Sequence, residues 1–299
     1  RNNWIFKSLL PDLETLIVRD SHETYYFGGN LYSCKKLKVL KLYGQTNGKD
    51  ILYLSRFENL ERFISRSDGY RTTYIDADFV IRSPTIKYIE ISNINSYTSV
   101  YNFSNCTNLE KLYLNCDNEY ATTILLERCT KLKELVIFAE SLTDLNFLAD
   151  CPQLRSLTII SSVGMNNIEG IENCTELEVL DISQSTVVDI SSLAGLIKLK
   201  KLNLSRTKIS DISSLSNCIN LEVLNLRATN INDLTPISNC TKLERINLNR
   251  TNILSLKPLS NLTSLTYIDL SHTYITNLNK AAKWINLSYI RAYKCELLS

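Results

Sequence analysis

Over residues 199–292 the chain repeats one pattern of apolar and polar positions every 22 residues: LKKLNLSRTKISDISSLSNC, LEVLNLRATNINDLTPISNC, LERINLNRTNILSLKPLSNL, LTYIDLSHTYITNLNKAAKW and finally LSYIRA. Leu199, Leu221, Leu243, Leu265 and Leu287 open the copies. A fixed period of this size marks a stacked-repeat architecture, in which no copy buries its own apolar residues and neighbours share one core. Within a copy the fourth and sixth places, such as Leu202 and Leu204, alternate with polar residues, which is the period of a short half-buried strand. Ile209, Ile212 and Leu215 bring the chain back through a segment too short for a long helix, and Pro236 and Pro258 would break one. The pattern therefore predicts extended and 3₁₀ backbone on the return.

Followed backwards, the same spacing gives openings at Leu177, Leu154, Leu132, Leu109, Ile86, Leu60, Leu37 and Leu13, thirteen in all. This predicts a single domain over residues 13–299, irregular over 13–176 and regular over 177–299, carrying thirteen parallel strands. Residues 1–12 read as half of an earlier repeat or as a cap over the first layer. Two longer steps contain HETYYFGGN, which reads as a protruding turn, and SDGYRTTYIDADFVIRS, where Tyr74, Ile75, Phe79 and Ile81 read as extra strand on the return side. Residues 291–299 stop within a copy without a polar cap, so either further chain or a partner is expected to cover the last layer.

The Leu/Ile skeleton, with SDISSL, NDLTPI and SLKPL on the return segments, resembles the short leucine-rich repeats of bacterial internalins and of certain protein phosphatase regulators. The resemblance covers almost the whole chain, is degenerate before Leu132, and has Thr where such repeats usually place a ladder asparagine. It implies an α/β solenoid: a leucine-rich repeat horseshoe or arc with a parallel concave β-sheet and short 3₁₀ or extended convex segments. It also implies a scaffold whose partner protein lies against the concave strand face.

Several columns of the repeat carry polar chemistry. Cys34, Cys106, Cys129, Cys151, Cys174, Cys218 and Cys240 each stand three residues before an opening residue. Stacking would bring neighbours such as Cys129 and Cys151 about 5 Å apart, within disulfide reach. Leu196, Leu262 and Trp284 fill the same place elsewhere, which reads as an apolar site occupied by reduced thiols. Thr207, Thr229, Thr251 and Thr273, with Cys295 after them, read as a ladder bonding the backbone of the turn that leaves the strand. Asp144, Asp189, Asp211 and Asp233 read as caps of the following turn; Ser255 and Asn277 in that column argue against calcium. Of eight Asn-x-Ser/Thr matches, including Asn105, Asn173, Asn203, Asn239, Asn249 and Asn261, most read as products of a repeat rich in those residues.

No nucleotide loop, HExxH or GxSxG occurs, and His22 and His272 lie far apart, so neither a catalytic triad nor structural zinc is expected. The chain reads as no enzyme and as needing no cofactor. The third, fifth, seventh and eighth places of each copy should face outward. At the C-terminal end these supply Arg206, Arg227, Arg245, Arg250, Tyr267, His272, Tyr289, Arg291 and Tyr293, and in the middle an apolar stretch with Phe138 and Ile160. A second basic region near the start contains Arg19, Lys41, Arg62 and Arg66. Arg and Tyr are enriched at protein interfaces, so a protein partner with an acidic surface is expected at the C-terminal set.

Charge is nearly balanced, 33 basic residues against 31 acidic for a net of +2, and no apolar run is long enough to span a membrane. Nucleic-acid binding through basic ends and tyrosine stacking is accordingly the third reading. A non-enzymatic protein–protein interaction scaffold or adaptor comes first, intracellular because its thiols read as reduced. A secreted or surface receptor-like or adhesin-like domain comes second.

Overall fold

A computed structural model describes residues 10–19, 29–43, 54–66, 79–81, 83–92, 100–116, 122–160, 162–279 and 283–295. Most of the expected N-terminal cap, the body of HETYYFGGN, Tyr74 and Ile75, and the last four residues lie outside the described residues. The chain divides into two compact units, Arg1–Leu142 with Phe147–Leu154, and Thr143–Asn146 with Arg155–Ser299.

In the first unit the strands are β1 (Thr15–Arg19), β2 (Val39–Tyr43), β3 (Arg62–Arg66), β4 (Phe79–Val80), β5 (Tyr88–Ser92), β6 (Val100–Asn102), β7 (Lys111–Cys116), β8 (Thr123–Leu125) and β9 (Glu134–Ala139). β1, β2, β3, β5, β7 and β9 pair in parallel, each joining the next. The predicted alternation holds in β2, β5, β7 and β9, where Leu40, Ile89, Leu112 and Leu135 are fully buried between exposed or half-exposed neighbours; β3 breaks it, with Phe63, Ile64 and Ser65 all buried. β4, β6 and β8 form a separate three-stranded parallel sheet. Phe79, expected in extra strand, lies in β4, and the Ile81 amide that follows donates to the Asn102 carbonyl at 2.8 Å. Two further strands there were not expected; the buried Tyr101 and Phe103 stand in and beside β6.

The second unit holds β10 (Ser156–Ile160), β11 (Val179–Asp181), β12 (Lys201–Asn203), β13 (Val223–Asn225), β14 (Arg245–Asn247), β15 (Tyr267–Asp269) and β16 (Tyr289–Arg291). They too pair in parallel, with equivalent places of successive copies opposite each other. The six ladder strands of one unit and seven of the other match the thirteen openings read from the sequence. Short 3₁₀ turns at Ser191–Leu193, Ser213–Asn217, Thr235–Ile237 and Lys257–Leu259 return the chain. Pro236 and Pro258 sit in the first positions of their turns, where the missing N–H is an orphan donor anyway.

Three polar columns hold these turns. Thr207, Thr229, Thr251 and Thr273 are buried, and each hydroxyl donates to the carbonyl three residues back at 2.6–2.7 Å. Asp144, Asp189, Asp211 and Asp233 each accept the amide two residues on at 2.8–3.1 Å, and Ser255 and Asn277 do the same at 3.2 Å. All nine cysteines are free and buried. The Cys106 thiol donates to the Ile81 carbonyl at 3.2 Å and Cys240 to that of Cys218 at 3.5 Å, while Trp284, in the same column, donates its indole N–H to Leu259 at 2.8 Å. Burial pushes Cys106, Cys218 and Cys240 up to about 11, and Cys116, Cys129 and Cys174 up to about 12.

Where the strands begin, the second place of the first-unit copies alternates in sign. Lys38 pairs with Glu14 at 3.2 Å, Lys87 with Glu61 at 3.1 Å and Lys133 with Glu110 at 2.9 Å. Lys200 and Glu178 repeat the pair in the second unit at 2.6 Å. All are exposed or half-exposed, where solvent screening leaves an ion pair little net contribution.

Candidate functional site

The outward third-place residues of the second unit form a row, Lys201, Val223, Arg245, Tyr267 and Tyr289, fixed by the strand register. The Arg245 guanidinium lies 4.6 Å from the centroid of the Tyr267 ring. Tyr267 and Tyr289 stack with centroids 5.3 Å apart and planes within 2° of parallel. Cation–π and ring stacking together make a continuous shelf, and Tyr289 remains 48% exposed at its end.

At the fifth place the expectation changes. Asn203, Asn247 and Asp269 hold this place, which the alternation predicts to face outward. Each instead accepts the backbone amide two residues on, at 2.9–3.1 Å, as Asp181 and Asn225 also do. These short polar side chains complete the strand-exit turn, so their oxygens are already in use. Asp269 is buried, with one oxygen 4.0 Å from Arg291 Nη1. Arg291, exposed in β16, also donates to the Tyr289 hydroxyl at 3.5 Å.

The seventh and eighth places have left the strand. Gln184, Arg206, Ala228, Arg250, His272 and Lys294, all eighth, have φ between 48° and 59°. This is the left-handed region, which costs an ordinary L-residue about 1–2 kcal/mol. The conformation lets the eighth-place amide reach the seventh-place carbonyl of the next copy: Arg206 to Arg227 at 2.8 Å, Arg250 to Ser271 at 2.9 Å and His272 to Tyr293 at 2.9 Å. Arg206, Arg250 and His272 therefore stand on the strand-exit turns, not on the strand face where sequence position had put them. The usual sign of such a turn is Gly or Asn, and these six residues include neither.

Along this exit edge Arg206, Arg227 and Arg250 are exposed, and among the described residues their side chains make no hydrogen bond or ion pair. Several basic residues near the strand starts are engaged: Lys198 with Glu176, Lys200 with Glu178, Lys242 with Asn220 and Lys283 with Asn261. At the far end Tyr293 is 63% exposed, edge-on to His272 at 5.5 Å and with the Lys294 ammonium 5.5 Å from its ring centroid.

In the first unit the outward face carries a network that sequence reasoning missed. Tyr88 donates to Glu90 at 2.8 Å, Arg66 pairs with the same carboxylate, and the Arg62 guanidinium lies 3.8 Å over the Tyr88 ring. Tyr113 donates to Glu134, which also pairs with Lys111 at 2.6 Å. Burial, then the bond to Glu90, pushes Tyr88 up to about 12; burial and Glu134 push Tyr113 up as well. For Glu90, burial works upward, but Arg66 and Tyr88 outweigh it and hold the carboxyl below its ordinary value. Alternating polar positions looked like an ordinary solvated face, and only the register brings Tyr88, Glu90 and Arg66 together. Phe138, 41% exposed, lies in β9 opposite Asn115, whereas Ile160 is half-buried at the end of β10 in the other unit.

Thirteen parallel strands, 3₁₀ returns and a leucine core decide the architecture. This chain is a leucine-rich-repeat solenoid. A family profile described as Leucine Rich repeats (2 copies) matches residues 197–239. Among solved structures the solenoid is similar to an internalin (inlF) from Listeria monocytogenes, at 20% identity and TM-score 0.60 over 94% of this chain and 87% of that one. An internalin C2 (inlC2) from the same organism is 25% identical with TM-score 0.52, over 67% of this chain and 79% of that one. The plant peptide hormone receptor RGFR1, solved in complex with RGF2, is 15% identical with TM-score 0.58, over 95% of this chain and 52% of that one. No curated protein matches the sequence. Among the described residues no helix of the solenoid is long and apolar enough to cross a membrane.

Proposed function

We propose that this leucine-rich-repeat solenoid is a non-enzymatic protein-binding module whose second unit receives an acidic partner. The observation that carries this reading is the coexistence of three exposed arginines, Arg206, Arg227 and Arg250, unpaired among the described residues, with the exposed edge of the Tyr267–Tyr289 stack. Unpaired cations speed encounter with an acidic surface, and rigid aromatic rings supply contact area at little entropic cost. Arg245 and Arg291 brace the rings and extend the positive face. Free, buried thiols of raised pKa support a cytoplasmic setting, and a titration in denaturant yielding nine thiols tests it.

The site is tested by capture from lysate on immobilised protein, with bound proteins identified by mass spectrometry. A partner held by the wild type should be lost from Arg227→Glu/Arg250→Glu and from Tyr289→Ala, with the circular dichroism spectrum unchanged. Retention at wild-type affinity by folded variants would reject the site, and the Phe138 region of the first unit would be next.

A further inference from the structure

The exit edge of the second unit has a spacing as well as a charge. We infer that it is a docking track for an acidic peptide in the polyproline-II conformation, with a carboxylate at every third residue. The inference rests on the protein-binding reading above and names the partner's chemistry.

Arg206, Ala228, Arg250, His272 and Lys294 hold the same place in five successive copies and share one left-handed backbone conformation. Adjacent copies are joined through this column by amide–carbonyl bonds of 2.8–2.9 Å, which keeps it in step with the sheet. Neighbouring strands lie about 4.8 Å apart, so Arg206, Arg250 and Lys294 recur at intervals of about 9.6 Å. A polyproline-II helix has three residues per turn and rises about 3.1 Å per residue, which returns a side chain to the same face every ~9.3 Å. The mismatch is about 0.3 Å per interval. An extended strand repeats on one face at about 6.6–6.8 Å and matches neither one copy nor two. An α-helix at about 5.4 Å per turn drifts by more than 1 Å over two copies.

Charge and chemistry agree with the spacing. The exit turns at residues 205–208, 227–230, 249–252 and 271–274 contain no Asp or Glu, so no acid of the same turn competes for Arg206, Arg227 or Arg250; the turn of Lys294 differs in carrying Glu296 in sequence. Arg227, at the seventh place, stands between the stations of Arg206 and Arg250. A polyproline-II backbone makes no internal hydrogen bonds, and its free carbonyls are acceptors for such a guanidinium. Tyr293 beside Lys294 gives the track an exposed aromatic face, the kind of surface on which proline rings dock. Single-stranded nucleic acid is the competing polyanion. The near-balanced charge of the chain, 33 basic residues against 31 acidic, lacks the basic excess of nucleic-acid binders and disfavours it.

The test uses the full chain and a fluorescein-labelled peptide of five Glu-Pro-Pro units, read by anisotropy. Two further probes are a peptide with five Glu-Pro-Pro-Pro units and a single-stranded DNA oligonucleotide. The three-residue peptide should bind at least fivefold more tightly than either. Arg206→Asn and Arg250→Asn, which remove charge while suiting the left-handed backbone, should each weaken it about tenfold, and Lys198→Asn should not. Equal binding of the four-residue peptide or the oligonucleotide would overturn the track, as would indifference to Arg206→Asn and Arg250→Asn. If the probe fails while Arg227→Glu/Arg250→Glu still loses its captured partner, the track falls and the protein-binding reading stands. If that folded variant keeps its partner and the probe fails, both fall.

Discussion

Tyr267 and Tyr289, 22 residues apart in sequence, lie face to face with ring centroids 5.3 Å apart and planes within 2° of parallel. The inner ring is half-buried beneath Arg245, and the outer one is 48% exposed. Their roles should therefore separate. Tyr289→Ala should lower stability by less than about 1 kcal/mol in urea melts, the scale of an aromatic pair, while greatly weakening partner capture. A large loss of stability would make the stack structural rather than a binding shelf.

Turns in the second unit depend on a buried hydroxyl. Thr229 Oγ1 donates to the Leu226 carbonyl at 2.7 Å in a site only 4% exposed. Thr229→Val keeps the shape and removes the donor, leaving the carbonyl short of a partner, so it should cost about 1–2 kcal/mol. Thr229→Ser should recover most of that. Urea denaturation of the two variants side by side decides it.

Left-handed backbone at the eighth place predicts an unusual gain. Ala228 has φ 55°, a conformation in which Gly pays no steric cost. Ala228→Gly should raise stability by about 0.5–1 kcal/mol, against the usual direction for that substitution. Arg250→Glu exchanges one L side chain for another at φ 59° and should leave the melting curve almost unmoved.

Thiol ionisation gives the solenoid an alkaline limit. Folded Cys218 and Cys240 are raised by burial from 9.0 to about 11, so the neutral thiol is the form the core favours. Their contribution is fully present below pH 9 and is lost as pH rises from 9 through 11. Stability should fall across that window, and Cys240→Ala should flatten the fall. A pH series of urea midpoints measures both.

Regular and irregular copies should also exchange at different rates. Hydrogen exchange should be slower over residues 202–248, where every copy repeats the same buried skeleton, than over residues 37–43. Equal protection in the two stretches would count against this.

Much of this was legible in the sequence because Leu, Ile, Thr and Asp recur at fixed places, and each place has one structural use. Leu202 and Leu224, or Thr207 and Thr229, announce their roles by repetition alone. The exit turns were hidden for the opposite reason. Arg206, Arg250, His272 and Lys294 carry neither Gly nor Asn, so nothing in their side chains reveals a left-handed backbone. Asn203 and Asn247 looked like free surface because capping the turn and facing solvent place the same residue types outward. The Tyr88–Glu90–Arg66 network needed the strand register before its members became neighbours.

The amides that join one copy to the next point in two directions, which gives the solenoid a timetable. Lys200 and Lys201 reach backward to the Glu178 carbonyl, whereas Ile182 and Gln184 reach forward to Asn203 and Ser205. A ribosome makes the chain from its N-terminus, so the backward bonds have their acceptors waiting and the forward ones do not. The turn at Gln184 can close only after the following copy has emerged, about 1–4 s later for 22 residues at ordinary rates of synthesis. Every copy is thus finished one copy late, and the growing tip of the nascent solenoid always carries one incomplete turn.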